Sequence, residues 1–187
     1  MISAATDQAL IEAIARQDRS AMRALFERHR VKVFRFVRRI VRDEATAEDL
    51  TADVFLDVWR HADQFENRSA VATWILAIAR FKALSALRRR REAPLDASAA
   101  TLVPDYADGP EAALASKHNS EILRACLSRL SDDHREVIDL VYYHEKSIDE
   151  VAEIVNIPVN TVKTRMFYAR KRLARELAHA GLVQEFL

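Results

Sequence analysis

The sequence has little glycine, proline or cysteine: its 187 residues include 2 glycines, 4 prolines and 1 cysteine. Hairpins and tight turns depend on glycine and proline, so their scarcity argues against a protein rich in β-structure. A single cysteine excludes a disulfide framework within the chain. With so few glycines there is also no glycine-rich loop of the kind that cradles nucleotide phosphates.

Long apolar runs and an excess of one charge are also missing. No run is long enough to cross a bilayer and no signal-peptide pattern is present, so we expect a cytoplasmic protein without membrane insertion. The 29 Lys and Arg nearly balance the 28 Asp and Glu, which argues against binding nucleic acid through bulk charge. Half of the residues are hydrophobic. Abundant Ala, Leu, Arg and Glu predict an all-α fold.

The sequence gives no support to an enzyme. Its histidines are scattered without a second ligand at metal spacing, and we expect them to be surface or cap residues. No Ser/His/Asp or Cys/His arrangement has local support, and Cys126, within a helical pattern, is predicted to be a buried thiol. We therefore expect no catalytic residue, no metal, no cofactor and no small-molecule substrate.

The most informative stretch runs from Ser147 to Arg175. Ser147 and Glu150 form a capping box, which predicts a helix that begins after the serine. Asn156 suits a left-handed turn position, and Pro158 pushes the preceding residue towards extended geometry, so the first helix must end there. Asn160 is predicted to cap a second helix.

The second helix has one apolar and one basic face. Its apolar positions recur at helical spacing: Val162, Met166, Leu173 and Leu177. Its outer face carries Thr161, Lys163, Thr164, Arg165, Phe167, Tyr168, Arg170 and Lys171. This arrangement is typical of a DNA-reading helix-turn-helix. An ordinary helical hairpin with solvated lysines is the alternative, but the turn residues and the one-sided basic charge favour DNA reading.

The N-terminal half predicts four helices, over about 6–17, 20–41, 45–61 and 70–91. The third has an acidic side opposite its apolar positions, formed by Glu48, Asp49, Asp53 and Asp57. A solvated face explains such a pattern equally well. The polar segment 63–69 is predicted to be a loop.

Aromatic residues alternate with polar and basic residues around this loop. Phe65, Trp74 and Phe81 lie among Asn67, Arg68, Arg80 and Lys82. Single-stranded nucleic acid needs this combination, because aromatic rings stack on unpaired bases and cations contact the backbone. The alternative is that Trp74 and Phe81 are core aromatics, which explains Trp74 better than Phe81 and leaves Phe65 unexplained.

A linker separates the two halves. The segment 92–110 holds three of the four prolines and one of the two glycines and has no hydrophobic period. We therefore predict domains over 1–91 and 111–187. A helix is expected over 111–130, and Ser131 is expected to cap another that runs to about His144.

These residues together resemble a compact bacterial sigma factor of the extracytoplasmic-function (ECF) type. The resemblance rests on the acidic FLDVW helix, on FENRSAVATWILAIARFKALSALRRRR, and on SIDEVAEIVNIPVNTVKTRMFYARKRLA. It runs from about Leu25 to Leu177, and the two motif blocks are specific in combination. Phe81 departs from the pattern, since the family usually has Asn there.

The resemblance implies a function for each half. The domain 1–91 would dock on core RNA polymerase and open the −10 element of promoter DNA, and the domain 111–187 would read the −35 element. An anti-sigma factor is expected as a further partner. The polymerase-docking residues would be Asp49, Asp53, Leu56 and Asp57. The −10 residues would be Phe65, Asn67, Arg68, Ser69, Trp74, Phe81, Lys82 and Arg88, with the loop from Phe65 to Ser69 capturing a flipped base. The −35 residues would be Asn160, Thr161, Lys163, Thr164, Arg165, Phe167, Tyr168, Arg170 and Lys171.

Two other classes of protein compete with this interpretation. One is a stand-alone helix-turn-helix regulator whose N-terminal half is a sensor or dimerisation domain. The other is a plain interaction module, which leaves the polarity of the second helix unexplained. The basic and aromatic block 65–91 favours the sigma factor, because a sensor domain has no need of it.

Overall fold

The computed structural model describes residues 5–92 and 113–181, with side chains in the second range from Ser120 onward. Every regular element in these ranges is helical, which confirms the predicted all-α fold. The helices fall into two units: α1–α4 belong to the first, and α5, α6, α8 and the larger part of α7 belong to the second. Their bounds are α1 Asp7–Ala15, α2 Arg19–Val41, α3 Glu44–His61, α4 Val71–Glu92, α5 Ala113–Ser128, α6 Asp132–Ile138, α7 Ile148–Val155 and α8 Val159–His179.

The first unit is organised around α2, which contacts α1, α3 and α4. Its apolar stripe is buried against them through Leu25, Val33, Phe36 and Val37. The helix starts sharply, because the Asp18 side chain accepts hydrogen bonds from the backbone amides of the first turn. Apolar spacing and caps are both local signals, so the four helices predicted in this half of the chain agree with the observed ones to within two residues at each end.

An ion-pair cluster that the sequence analysis did not predict fastens α1 to α2. The Asp7 carboxylate lies 2.7 Å from His29 Nε2 and also contacts the Arg28 guanidinium. The prediction that the histidines are surface or cap residues is wrong for His29 and for His144, which are both buried. Each has a carboxylate nearby, and only the folded chain brings a partner such as Asp7 within reach of a residue 22 positions away.

The second unit contains a wide helical turn that the sequence analysis did not predict. Ser131 caps α6 as expected, accepting from the His134 amide at 3.3 Å. The α-helix then ends at Ile138, and Asp139–Tyr143 form a π-helical segment. The His144 amide donates to the Asp139 carbonyl at 3.1 Å, five residues back. The same spacing brings the buried His144 ring within 3.5 Å of the Asp139 carboxylate.

The remaining predictions about the fold divide into tested and untested ones. Cys126 is buried as predicted, and this burial raises the pKa of its thiol, which keeps the group protonated at neutral pH. The predicted linker lies, apart from Glu92, outside the described residues, as does the start of the predicted helix at 111, so the domain boundaries stay a prediction. None of the helices described is long and apolar enough to span a membrane.

Candidate nucleic-acid interface

The helix-turn-helix begins with the predicted capping box. The Ser147 amide donates to the Glu150 carboxylate at 3.0 Å, and the Glu150 amide donates to the Ser147 hydroxyl at 3.2 Å. At the other end of α7, Asn156 has a φ of 55°, the left-handed conformation predicted for it. The Ile157 amide then donates to the Ala152 carbonyl at 3.1 Å, which closes the helix in a Schellman motif.

The predicted Asn160 cap is wrong. The helix α8 begins at Val159, and the residue before it is Pro158, whose backbone is extended and whose side chain cannot accept a hydrogen bond. The Pro158 carbonyl accepts from the amides of Thr161 and Val162, so the helix has already started when the chain reaches Asn160. The exposed Asn160 instead lies in the first turn, where its carbonyl accepts from the Thr164 hydroxyl at 2.9 Å.

The helix α8 has the predicted two faces. Val162, Met166 and Ala169 are buried, and Leu173 and Leu177 are half-buried on the same side. Most of the predicted DNA-binding residues on the opposite side are exposed: Lys163, Thr164, Phe167, Tyr168, Arg170 and Lys171. The two aromatic rings on this side are more than half exposed, and their centroids lie 5.3 Å apart. Buried packing therefore fixes the axis of a helix whose outer face is polar, basic and aromatic.

Two cations of α8 interact with other elements of the second unit. Arg165, which is half-buried with Thr161 at the side of the face, forms an ion pair of 2.7 Å with Asp133 of α6. The Arg170 guanidinium lies 5.7 Å from the centroid of the Tyr142 ring, which extends from the π-helical segment. Tyr142 is 61% exposed and therefore borders the same surface. Both contacts limit the directions in which these cations can point.

A buried carboxylate anchors the far end of α8. Glu176 lies 3.0 Å from Arg129, the residue that follows α5, and 2.9 Å from Arg172 within α8 itself. The hydrogen bond from Arg129 lowers the pKa of this carboxyl group, so it stays ionised at neutral pH. The pair with Arg129 therefore ties α8 to the residue that follows α5, whereas the pair with Arg172 lies within α8.

In the first unit, the loop predicted over 63–69 begins as a short 3-10 turn, Ala62–Gln64, and continues irregularly to α4. Phe65 is half-buried and packs against Trp74 of α4, with ring centroids 5.1 Å apart. Asn67 has a φ of 57°, and Arg68 lies 2.7 Å from Glu66 on the exposed side. The loop therefore presents one face of an aromatic ring beside polar side chains, with Ser69 half-buried at its end.

The helix α4 continues this surface. Phe81 is 73% exposed, so the alternative that it is a core aromatic is wrong, and Trp74 is half-buried. Lys82 forms an ion pair of 2.7 Å with Asp57 of α3, and Arg88 is exposed near the C-terminal end. The structure thus pairs a residue predicted to bind DNA with one predicted to bind polymerase.

The acidic face of α3 lies on the side away from its core residues. Asp49 and Asp53 are exposed, and Leu56 between the carboxylates is 48% exposed. Asp57 is half-buried because of its contact with Lys82. Among the residues described, no group of three or more potential metal ligands occurs.

Several residues that shape these surfaces were not predicted from the sequence. Asp133, Tyr142 and Glu176 hold or flank α8. Of the three, only Tyr142 carries a signal in the sequence, namely its helical spacing and its aromatic character. The partners of Asp133 and Glu176 are 32 and 47 residues away, respectively, so helical periodicity carries no signal for either pair.

Family models match both units. The model described as Sigma-70 region 2 matches residues 25–93, and Sigma-70, region 4 matches residues 120–173. The first match contains the acidic face and the loop, and the second contains the helix-turn-helix. Solved structures share the fold: CnrH, in complex with the cytosolic domain of CnrY, has a TM-score of 0.68 at 23% identity over 92% of this chain and 97% of that chain. The sigma factor RpoE from Bartonella quintana, in complex with the anti-sigma factor NepR, has a TM-score of 0.67 at 24% identity over 82% and 94%.

Curated relatives cover almost the whole chain. The ECF RNA polymerase sigma factor SigW of Bacillus subtilis (strain 168) is 30% identical over 176 residues, covering 89% of this chain and 94% of that protein. The ECF RNA polymerase sigma factor SigK of Mycobacterium sp. (strain KMS) is 29% identical, covering 84% and 83%. The RNA polymerase sigma-H factor of Pseudomonas aeruginosa is 26% identical, covering 95% and 96%. Two family regions in the right order, and full-length relatives, exclude a stand-alone helix-turn-helix regulator: the chain belongs to the ECF sigma factors of the sigma-70 family.

Proposed function

We propose that this sigma factor directs RNA polymerase to its promoters by dividing recognition between its two units. The unit α5–α8 reads the −35 element in duplex DNA. The unit α1–α4 docks on core RNA polymerase and holds the opened −10 element. Neither unit contributes a catalytic step, because the polymerase carries out the chemistry, and the work takes place in the cytoplasm where polymerase and DNA meet.

The observation that carries this proposal is the outer face of α8. A helix of this diameter fits the major groove, and its buried side leaves only the polar and aromatic side free to enter it. Lys163, Thr164, Phe167 and Tyr168 are placed to reach base edges. The side chains further round the helix, Thr161, Arg165, Arg170 and Lys171, are placed to contact phosphates, and Asn160 lies at the end of the helix that enters first.

The loop of the first unit supports the proposed role in opening DNA. One face of Phe65 packs on Trp74, so the ring is held in place before any base arrives. Stacking of an unpaired base on such a ring contributes about 1–3 kcal/mol, which offsets part of the cost of unstacking the duplex. Exposed Arg68 and Arg88, with Lys82, supply positive charge for the backbone, and Asn67, Ser69 and Phe81 lie beside them.

The acidic face of α3 supports the proposed docking on polymerase. Its carboxylates surround Leu56, which exposes an apolar side chain in the middle of a charged surface. A surface of this kind pairs well with a basic partner that offers a small apolar pocket, since charge sets orientation and the apolar contact adds affinity.

We also propose a protein inhibitor as a partner when the factor is not bound to polymerase. CnrH and RpoE, which share this fold, were both solved with a bound protein, and NepR is an anti-sigma factor. The exposed aromatic residues Phe81, Phe167 and Tyr168 are surfaces that such a partner would cover.

Transcription in vitro tests the proposal directly. Core RNA polymerase with and without the purified chain is given a promoter library randomised in both elements, and the transcripts are sequenced. We expect transcription only in the presence of the chain, with distinct preferences in the two elements. The proposed function fails if the chain adds no transcription, or if the selected templates share no sequence.

A further inference from the structure

A cleft lies between the loop of the first unit and the helix α1. Its volume is about 280 Å³, and it is open to solvent on one side. Phe65 and Asn67 of the loop line one wall. The other wall is formed by α1, including Gln8 and Glu12, and by Arg16, which directly follows the helix; all three lie before the residues matched by the region 2 family model. The helix α1 therefore adds a wall to a surface that the loop alone does not enclose.

The wall formed by α1 is held firmly in place. Leu10, Ile11 and Ile14 are buried in the core of the unit. Asp7 fastens the start of the helix to α2 through the 2.7 Å contact with His29 and the ion pair with Arg28. A wall fixed by both apolar packing and ion pairs can position polar side chains without losing much conformational freedom when a ligand binds.

The side chains around the cleft suit one unpaired base. The volume lies just below the roughly 300 Å³ at which small-ligand pockets begin, which suits a small flat group such as one base. The Phe65 ring offers a stacking surface, and unpaired bases are read by stacking together with hydrogen bonds to their edges. Glu12 accepts a hydrogen bond from Gln8 at 3.0 Å, which restrains its carboxylate and leaves it able to accept more.

We propose that α1 is the second wall of the pocket for one unpaired base of the −10 element, and that Glu12 and Arg16 determine which base it accepts. This inference rests on the proposed role of the loop in holding the opened −10 element. A carboxylate accepts from an exocyclic amine, and a guanidinium donates to a ring carbonyl. Cytosine and guanine carry both groups, whereas thymine lacks the amine and adenine lacks the carbonyl. The pocket therefore prefers cytosine or guanine, and Gln8 is a positioning residue for Glu12.

The test uses the full chain with core polymerase and a library randomised across the −10 element. We expect the wild-type protein to prefer cytosine or guanine at one position. Glu12→Ala and Arg16→Ala should each reduce this preference by roughly 5- to 100-fold, the effect of losing one specific base contact. Preferences within the −35 element should not change. Gln8→Ala should reduce the base preference in the same way as Glu12→Ala but to a smaller extent. Gln8→Glu places a second carboxylate beside Glu12 and should not restore the wild-type preference.

Two controls separate this inference from its premise. Arg19→Ala removes an exposed cation at the start of α2 that does not line the cleft, and it should leave all preferences unchanged. Phe65→Ala should weaken the use of every −10 sequence. If the α1 variants keep the wild-type preference while Phe65→Ala loses transcription, the inference about α1 is overturned and the proposed function stands. If Phe65→Ala transcribes normally, the loop does not hold the base, and both the inference about α1 and the proposed role of the loop fail, whereas promoter recognition by the chain stands.

Folding is checked by circular dichroism melting of each variant. Alanine favours helix, so the α1 substitutions should leave the helical content and the melting temperature near the wild-type values. Glu12→Gln serves as a second variant that keeps the length of the side chain and removes its charge. A uniform loss of transcription at all four bases in a folded Glu12→Gln protein would contradict a role in specificity.

Discussion

The two units present their predicted DNA-binding residues in different ways. On α8 most of these side chains, apart from Arg165 and Arg170, project into solvent from a regular helix whose other face is buried. In the first unit the corresponding side chains already contact the protein itself: Phe65 lies on Trp74, and Lys82 is paired with Asp57. A duplex-reading surface can be rigid, whereas a surface that receives an unpaired base and a polymerase must exchange internal contacts for external ones. We therefore expect substitutions in the first unit to have the largest effect.

Reversal of charge on α3 should have the largest effect. In the variant Asp49→Lys with Asp53→Lys, two exposed carboxylates become cations on the proposed docking surface, and we expect association with core polymerase to be lost. Co-purification with core polymerase measures this, with circular dichroism as a check on folding. The matched control is Glu27→Lys with Glu121→Lys, which reverses two exposed carboxylates outside α3 and should bind normally. Normal binding by the α3 variant would show that core polymerase does not dock on the acidic face of α3.

Substitutions on α8 should have an intermediate effect. Lys163→Ala and Tyr168→Ala each remove a proposed base contact, which costs about 1–3 kcal/mol and relaxes sequence preference at one −35 position. Lys171→Ala should instead weaken binding to all sequences equally and reduce the salt dependence, as expected for a phosphate contact. Transcription from the −35 library at two salt concentrations distinguishes the two classes. Identical profiles for Lys163→Ala and Lys171→Ala would show that this face does not divide into base and phosphate contacts.

Acid should destabilise the first unit. Burial lowers the pKa of His29 from its ordinary 6.5, although Asp7 opposes this shift. The unfolded chain therefore binds the proton more readily, so this part of the stability is present above about pH 6.5 and is lost as the pH falls. Each unit of pKa difference corresponds to about 1.4 kcal/mol.

The fluorescence of tryptophan measures this effect, because both tryptophans, Trp59 and Trp74, lie in the first unit. Unfolding curves between pH 7.5 and 5 should show a falling stability in the wild-type chain and a shallower dependence in His29→Gln. The exposed His61 provides the control, since His61→Gln should follow the wild type. A wild-type stability that does not change across this pH range would contradict the assignment of the pH dependence to His29.

The smallest effect is expected at Tyr142. If the ring restrains Arg170 for a phosphate contact, Tyr142→Ala should weaken binding to all −35 sequences by about 0.5–1 kcal/mol, the strength of an exposed cation–π contact. Tyr142→Phe keeps the ring and should bind as the wild type does. Fluorescence anisotropy of holoenzyme with labelled promoter DNA can resolve this difference. Equal losses in both variants would point to the hydroxyl group and not to the ring.

Local signals explain which parts of the fold could be predicted. The capping box at Ser147 and the left-handed Asn156 involve residues at most three positions apart, and both are confirmed. The Asn160 cap failed because two local signals competed: the proline ahead of the helix already supplies the extended residue and the first carbonyl. The sequence could not indicate the π-helical segment Asp139–Tyr143. Hydrogen bonds in α- and π-helices differ in span by only one residue, so both have nearly the same apolar pattern.

Contacts between distant residues explain what could not be predicted. The pair Asp7–His29 joins α1 to α2, and the pair Arg129–Glu176 joins α8 to the end of α5, yet each of these residues alone reads as an ordinary surface group. The outer face of α8 was predicted in advance because helical spacing fixes it. The cleft behind the loop was not, because α1 reaches the loop only in the folded unit.

The ion pair between Asp57 and Lys82 has a thermodynamic consequence for the proposed roles. If polymerase engages Asp57, Lys82 is released towards DNA, and if DNA engages Lys82, Asp57 is released towards polymerase. Such coupling is reciprocal, so each partner must raise the affinity of the other by the same factor. A partly exposed pair contributes at most about 1 kcal/mol, which limits this factor to roughly fivefold. Two charged side chains in contact would thus make promoter binding and polymerase binding favour one another without any change of shape.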